Sequence, residues 1–158
     1  MADLPCLDES PPLALDVARG VTRLFARADI FAICEVPLPN GRRADLMGLD
    51  RKGKLVIVEI KVARSDLVGD AKWHDYLDYC DRFYWAVPPG LAAICEGEEY
   101  LPERAGLIVA DRYDAAMARE AAEQALAPAR RKAETLRLAR RAARRLAGQL
   151  DPGLDDGR

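Results

Sequence analysis

The sequence predicts an α/β domain built on a mixed sheet, with a long basic helix at its C-terminal end. Three observations predict this. An amphipathic helical stretch is followed by three short β-type runs separated by turn signals. Two further apolar runs, "RFYWAVP" and "GLIVA", then alternate with helical stretches, as crossover connections require. From Pro128 the chain turns into a helix-forming segment dense in arginine. A length of 158 residues suits one domain with a single sizeable core. The expected division is a leader at 1–12, the sheet domain at 13–127, the basic helix at 128–150 packed on or beside it, and a disordered tail at 151–158.

Ser10-Pro11-Pro12 reads as an N-cap with proline in the first helical turn. Leu13, Val17, Val21, Leu24 and Phe25 then recur at helical spacing to about Ala28. Phe31–Leu38 is a strand ended by "PNGRR", whose Asn40-Gly41 is a hairpin turn signal. Arg43–Leu49 is the return strand, and the turn "DRKGK" leads into Leu55–Val62. Asp66–Cys80 reads as one helix, with Trp73, Tyr76, Leu77 and Cys80 on its apolar face and Tyr79 elsewhere. Arg82–Pro88 is a strand, Leu91–Cys95 a short helix and Gly106–Ala110 a buried strand. Ala115–Ala122 reads either as a helix or as the hairpin partner of that strand.

Composition removes several kinds of chemistry. The chain has two serines, Ser10 and Ser65, and one histidine, His74, none in a nucleophile-elbow setting. No Gly-rich phosphate loop occurs. Cys6, Cys34, Cys80 and Cys95 are scattered, without metal-ligand spacing, and read as reduced core residues. No apolar run is long enough to span a bilayer, so the expectation is a cytoplasmic protein. The net charge of −2 conceals an asymmetry: Arg130–Arg145 holds eight basic residues and one acid, a local +7 that leaves −9 elsewhere. Such a basic arm points to nucleic acid or to an acidic partner.

The remaining chemistry lies in carboxylates and basic side chains. In "LVIVEIK", Leu55, Ile57, Glu59 and Lys61 share one face of a strand whose first part is apolar on both faces. A buried carboxylate is costly unless it is paired or bound to metal, so Glu59 and Lys61 mark the point where the strand emerges into a cleft. The hairpin before it brings Asp45 opposite Glu59. Two carboxylates with few other ligands suit Mg²⁺ or Mn²⁺, and a nearby lysine can orient or deprotonate a water. The competing reading is a cross-strand ion pair at a sheet end.

Asp45 followed by Glu59-Ile60-Lys61 resembles the D…(D/E)-x-K signature of the PD-(D/E)XK nuclease-like superfamily, with Ala44 where that superfamily has proline. The order of helix, three-stranded meander, helix and strand resembles its restriction-endonuclease-like α-β-β-β-α-β core. The stretches "GRRADLMGLD", "VEIKVARSDLVGDAKWHDYLDYCDRFYWAVP" and "LAPARRKAETLRLARRAARRL" resemble the MmcB family of bacterial DNA repair proteins. The likeness covers about Leu15 to Leu146 and is carried mainly by Lys72-Trp73-x-x-Tyr76 and Cys80-Asp81-Arg82. It implies a DNA repair protein in the cytoplasm, associated with the nucleoid, and a nuclease dependent on Mg²⁺ or Mn²⁺. Asp45 and Glu59 are then the metal ligands, Glu35 an optional third acid, and Lys61 the residue poised on the attacking water.

Other residues stay open between two readings. Arg42 and Arg43 are solvated turn residues or phosphate contacts. Lys72 is a candidate phosphate contact, Trp73 and Tyr76 are core residues or base-stacking platforms, and His74 is a surface residue or a base. Asp66 and Asp70 approach the cleft, or Asp66 caps a helix. In the basic helix Leu136, Ala139, Ala143, Leu146 and Leu150 form a heptad-like seam that should pack on something. Arg137, Arg140, Arg141, Arg144 and Arg145 lie off it and would face DNA phosphates. A non-catalytic DNA-binding module, or a helix that docks a repair partner, is the alternative on the same fold.

Overall fold

The computed structural model describes residues 12–154, so the expected Ser10 cap and residues 155–158 lie outside the described part. Helix α1 (Ala14–Arg27) buries Val17, Ala18, Val21 and Phe25 along one face. At its start the Leu13 N–H donates to Asp16 Oδ2 at 3.0 Å, so a first-turn carboxylate meets a free backbone donor. Six strands follow in a single sheet whose spatial order equals the chain order: β1 (Ile30–Pro37), β2 (Arg43–Asp50), β3 (Leu55–Ile60), β4 (Arg82–Val87), β5 (Gly106–Ala110) and β6 (Ala115–Arg119). β1–β2, β2–β3 and β5–β6 pair antiparallel, while β3–β4 and β4–β5 pair parallel. The mixed sheet is therefore present.

Linker length decides each sense of pairing. Gly41 (φ 83°) and Gly53 (φ 77°) supply the left-handed turn positions that close the first two hairpins. The parallel steps are made by the longer connections 61–81 and 88–105. The open choice at Ala115–Ala122 resolves as a hairpin: Asp111 Oδ1 accepts from the N–H groups of Tyr113 and Asp114 at 2.7 and 2.8 Å, and β6 then pairs along β5. A local turn and an edge to pair with outweigh the helical propensity of alanine.

Strand alternation separates two cores. Leu46, Val56, Val58, Tyr84, Ala86 and Ile108 pack under α1 with Val17, Val21 and Phe25. Leu55, Ile57, Phe83, Trp85 and Leu107 point to the other side and meet Trp73, Tyr76, Tyr79, Tyr100 and Leu138. β3 lies between β2 and β4, and Leu55 to Glu59 are all buried.

Four expectations need correction. Asp66–Cys80 is not one α-helix: helix α2 (Arg64–Gly69) stops at Asp70, and a 3-10 segment covers Trp73–Tyr79. Trp73, Tyr76 and Tyr79 are its buried residues, spaced by three, and Trp73 and Tyr76 stack on Phe83. A period of three keeps all the aromatics on one side, which an α-helix would not. Asp66 is no cap either, since Ala63 holds that position and Asp66 sits exposed in the first turn. In the tail, Pro152–Leu154 forms a 3-10 turn.

The fourth correction concerns α3 (Pro128–Leu150). Its predicted seam faces outward, with Leu136, Leu146 and Leu150 exposed at 59%, 65% and 90%. Glu134, Leu138 and Gly148 are buried instead. The helix is held by Arg131, Leu138 and Arg145, one every seven residues. Arg131 pairs with Asp81 at 2.6 Å, Leu138 enters the core, and Arg145 donates to the carbonyls of Cys34 and Glu35. The surface beneath offers oxygen acceptors as well as apolar side chains, so guanidinium groups win the inner face. Among the described residues no helix is long and apolar enough to cross a membrane.

Candidate active site

The β2–β3 ladder runs from Leu49–Leu55 to Leu46–Val58 and goes no further. Beyond it carboxylates take over from the backbone. The Ile60 N–H donates to Asp45 Oδ2 at 2.7 Å, and the Asp45 N–H donates to Glu59 Oε1 at 3.3 Å. The two acids thus hold the splayed strand ends, and each is itself oriented by a backbone donor. Among the described residues no backbone N–H donates to Asp45 Oδ1 or Glu59 Oε2. Around them opens a cavity of about 670 Å³, with Arg43, Lys61, Asp66, Asp70 and Tyr76 in its wall. It lies at the carboxyl end of the central strand, just before α2, where open α/β sheets commonly bind ligands.

The charges here are poorly compensated. Glu59 is only 4% exposed. Burial, with the Asp45 charge adding to it, pushes its carboxyl up to about 8 despite Lys61 nearby. Burial also raises Asp45, against the opposing Ile60 N–H and the Lys61 charge. Lys61 Nζ lies 2.9 Å from Asp70 Oδ2 and 3.8 Å from Glu59 Oε2. Burial alone would lower the Lys61 pKa, but the Asp70 hydrogen bond and the surrounding acids outweigh it and the net shift is upward. The Asp70 contact thus favours the charged form of Lys61. The Tyr76 phenol donates to the Arg43 carbonyl at 3.0 Å, and burial beside Glu59 raises its pKa.

Asp45, Glu59 and Lys61 thus meet in one cavity. Glu35 does not join them. It lies on β1 between the pairs Cys34–Leu46 and Val36–Ala44, opposite Asp45, with a left-handed φ of 51°. Its carboxylate turns outward to Arg43 at 3.6 Å. Arg43 is exposed and reaches the cavity, whereas Arg42 is tied to Asp75 at 3.0 Å. Lys72 and His74 are exposed and outside the cavity wall, and His74 lies against Trp73. Arg137, Arg140, Arg141 and Arg144 line a groove of about 470 Å³ beside Val36 and Pro37. Arg145 is committed to the β1 carbonyls, so its expected outward position is not observed.

Sequence reading missed three residues. Asp70, which fixes Lys61, was visible only as one of two acids near the cleft. Tyr76 is core by its ring and site by its hydroxyl. Asp81 is fully buried and accepts hydrogen bonds from the N–H groups of Leu55 and Leu126 and from Arg131. Among the described residues no group of three or more His, Cys, Asp or Glu side chains is placed to hold a metal ion.

A protein of unknown function from Silicibacter pomeroyi superposes with a TM-score of 0.78, at 44% identity over 93% of this chain and 96% of its own. A repair endonuclease from Pyrococcus abyssi gives a TM-score of 0.37, at 19% identity over 56% of this chain and 45% of its own. No curated protein matches. Residues 6–153 match the family described as DNA repair protein MmcB-like. A match over nearly the whole chain settles the family: the protein belongs to the MmcB-like DNA repair proteins.

Proposed function

We propose that this repair protein is a divalent-metal-dependent nuclease that hydrolyses DNA phosphodiester bonds at the Asp45–Glu59–Lys61 cavity. The observation that carries the reading is the splayed β2–β3 end, where the buried Glu59 and the half-buried Asp45 each keep one oxygen free of backbone donors among the described residues. That donor set is oxygen alone, which suits Mg²⁺ or Mn²⁺ completed by water and phosphate oxygens. Asp45 and Glu59 would hold the ion. Bound there, it would polarise the phosphate and make water acidic enough to attack. Lys61, kept protonated by Asp70, donates a hydrogen bond toward the attacked phosphate, where negative charge grows. Arg43 at the rim, and the groove arginines Arg137, Arg140, Arg141 and Arg144, hold the strand's phosphates without reading its bases.

The test is incubation with single-stranded, duplex and branched DNA in Mn²⁺, Mg²⁺ or EDTA. Cleavage that requires metal and disappears in Asp45→Asn and Glu59→Gln is the expected result. Cleavage that survives both substitutions would remove this cavity from the chemistry. One observation favours a second role for α3. The exposed stripe Leu136, Ala139, Ala143, Leu146 and Leu150 lies beside a row of arginines, which suits an acidic amphipathic helix of a repair partner. Loss of partner binding in Leu146→Glu, with DNA affinity retained, would assign that stripe.

A further inference from the structure

The 3-10 segment that lends Tyr76 to the acid cavity lends His74, Leu77 and Asp78 to a second cavity, of about 500 Å³. Its other walls are Arg104, the linker 124–127 that leads into α3, and Arg130 in the first turn of that helix. Arg104 is unusual in this chain. Among the described residues its side chain makes no ion pair and no hydrogen bond, and its Nε is sealed from solvent without an acceptor. Arg82 and Arg112 also bury an Nε, yet each turns its guanidinium to a carboxylate, Asp50 at 3.0 Å and Asp16 at 3.9 Å. Arg130 lies over the Tyr79 ring at 4.7 Å and pairs with no carboxylate.

Among the described residues neither cation has an ion-pair partner: Glu134, one turn beyond Arg130, feels its charge but pairs with Arg137 at 2.8 Å. Asp81, against which the linker packs through the N–H groups of Gln124 and Leu126, is already saturated by Leu55, Leu126 and Arg131. Asp78 is exposed at the rim and pairs with neither arginine. The first turn of α3 adds to the positive field, since Ala127 at the N-cap offers no side-chain acceptor. Two guanidinium groups without an anion, one with a buried donor left over, call for a ligand rich in acceptor oxygens.

We infer that this cavity is a phosphate-binding site, with Arg104 and Arg130 as its charged ligands, Gln124 as a neutral one and His74 in its wall. The volume leaves room for a sugar beside the phosphate. Two sources present that chemistry: a backbone phosphate of a nucleic-acid strand, and a free deoxynucleoside monophosphate. The site shares no residue with the acid cavity, and it stands whether or not that cavity cleaves DNA.

His74 is the only histidine in the chain, so its imidazole signals report on this cavity by proton NMR without assignment work. At fixed pH and ionic strength, inorganic phosphate should shift them saturably. Arg104→Gln should weaken that binding about tenfold or more, as expected when a charge-assisted bidentate contact is lost. Arg130→Gln, at an exposed position, carries the same test if the first variant fails to fold. Titration with a deoxynucleoside monophosphate and with a short DNA strand separates the sources. A strand ligand lowers the salt slope of DNA binding by about 0.7–0.9 in Arg104→Gln. A free nucleotide binds and leaves that slope unchanged. Either pattern supports the site. Absence of any saturable shift with all three probes, or a shift equal in wild type and both variants, would overturn it.

Discussion

β3 ends on a buried carboxylate problem at both extremities, and the two ends solve it in opposite ways. At its start the Leu55 N–H donates to Asp81, which is completely buried and also takes the Leu126 N–H and the Arg131 guanidinium. Against the cost of burial, those donors hold the Asp81 pKa below the usual carboxylate value. At its finish Glu59 is almost as buried, and one backbone donor, the Tyr76 hydroxyl and Lys61 at 3.8 Å do not offset burial and the like-charged Asp45, so its pKa is pushed up to about 8. The same residue chemistry is a fastening at one end and a liability at the other. A charge left unsatisfied in an otherwise well-satisfied fold is the mark of a group retained for a ligand.

The largest expected effect is on the fastening. Asp81→Ala leaves two backbone donors and a guanidinium without an acceptor, and should cost about 3–5 kcal/mol in denaturant melts. The linker 120–127 and the first turn of α3 should lose hydrogen-exchange protection together. The opposite end should respond with the opposite sign. Glu59→Gln should stabilise the metal-free protein at pH 8 and above by up to a few kcal/mol, because it removes a charge that burial disfavours.

The pH dependence sharpens the contrast. A raised folded-state pKa means that the native protein holds more protons than the unfolded chain between about 4.5 and about 8. The contribution of Glu59 to stability is thus full below about 4.5 and is lost as pH rises through about 8. The advantage of Glu59→Gln should open across that window and vanish at its acid end. Asp81, with a lowered folded pKa, behaves conversely: its contribution is present above the unfolded carboxylate value and lost as pH falls through the folded one. Asp81→Asn should flatten only the acid limb of a melting-temperature profile.

Smaller effects probe what surrounds the acids. Asp70→Asn removes the shortest contact of Lys61 and should lower its pKa, read from its side-chain nitrogen signal in NMR. Arg145→Gln releases the carbonyls of Cys34 and Glu35 beside the left-handed kink opposite Asp45. It should cost about 1 kcal/mol in stability. It should also loosen exchange in β1 near Glu35 more than at Ile30. Glutamine at Arg140 or Arg141 should leave stability within about 0.5 kcal/mol, whereas Arg137→Gln also strips the buried Glu134 of its partner at 2.8 Å and should cost more. With glutamine at Arg137, Arg140, Arg141 and Arg144 together, the salt slope for duplex binding should flatten by about 3.6 if all four contact phosphates.

Much of this was legible in the residues because strands announce their faces. The run Leu55–Ile60 is apolar on both sides until Glu59, and the turn "DRKGK", with Gly53 at its left-handed position, closes the hairpin that brings Asp45 to it. What the residues concealed depended on long-range geometry. Asp70 reaches Lys61 only because α2 ends after six residues. Tyr76 carries a hydroxyl to the site because the segment winds with a period of three. Glu35 turns away because β1 kinks under Arg145. The seam of α3 was misread for a physical reason: leucines at heptad spacing suggest burial, but here carboxylate and carbonyl acceptors drew arginines inward at the same spacing.

The central claim is that the buried Glu59 and the half-buried Asp45 are kept together for a divalent cation, and thermal unfolding with and without Mn²⁺ tests it directly. At neutral pH, Mn²⁺ at about a hundred times its dissociation constant should stabilise the wild type by about 2.7 kcal/mol. Glu59→Gln should be more stable than wild type without metal and gain little from it. A wild type that Mn²⁺ leaves unmoved, or a Glu59→Gln variant that gains as much as wild type, would contradict the account.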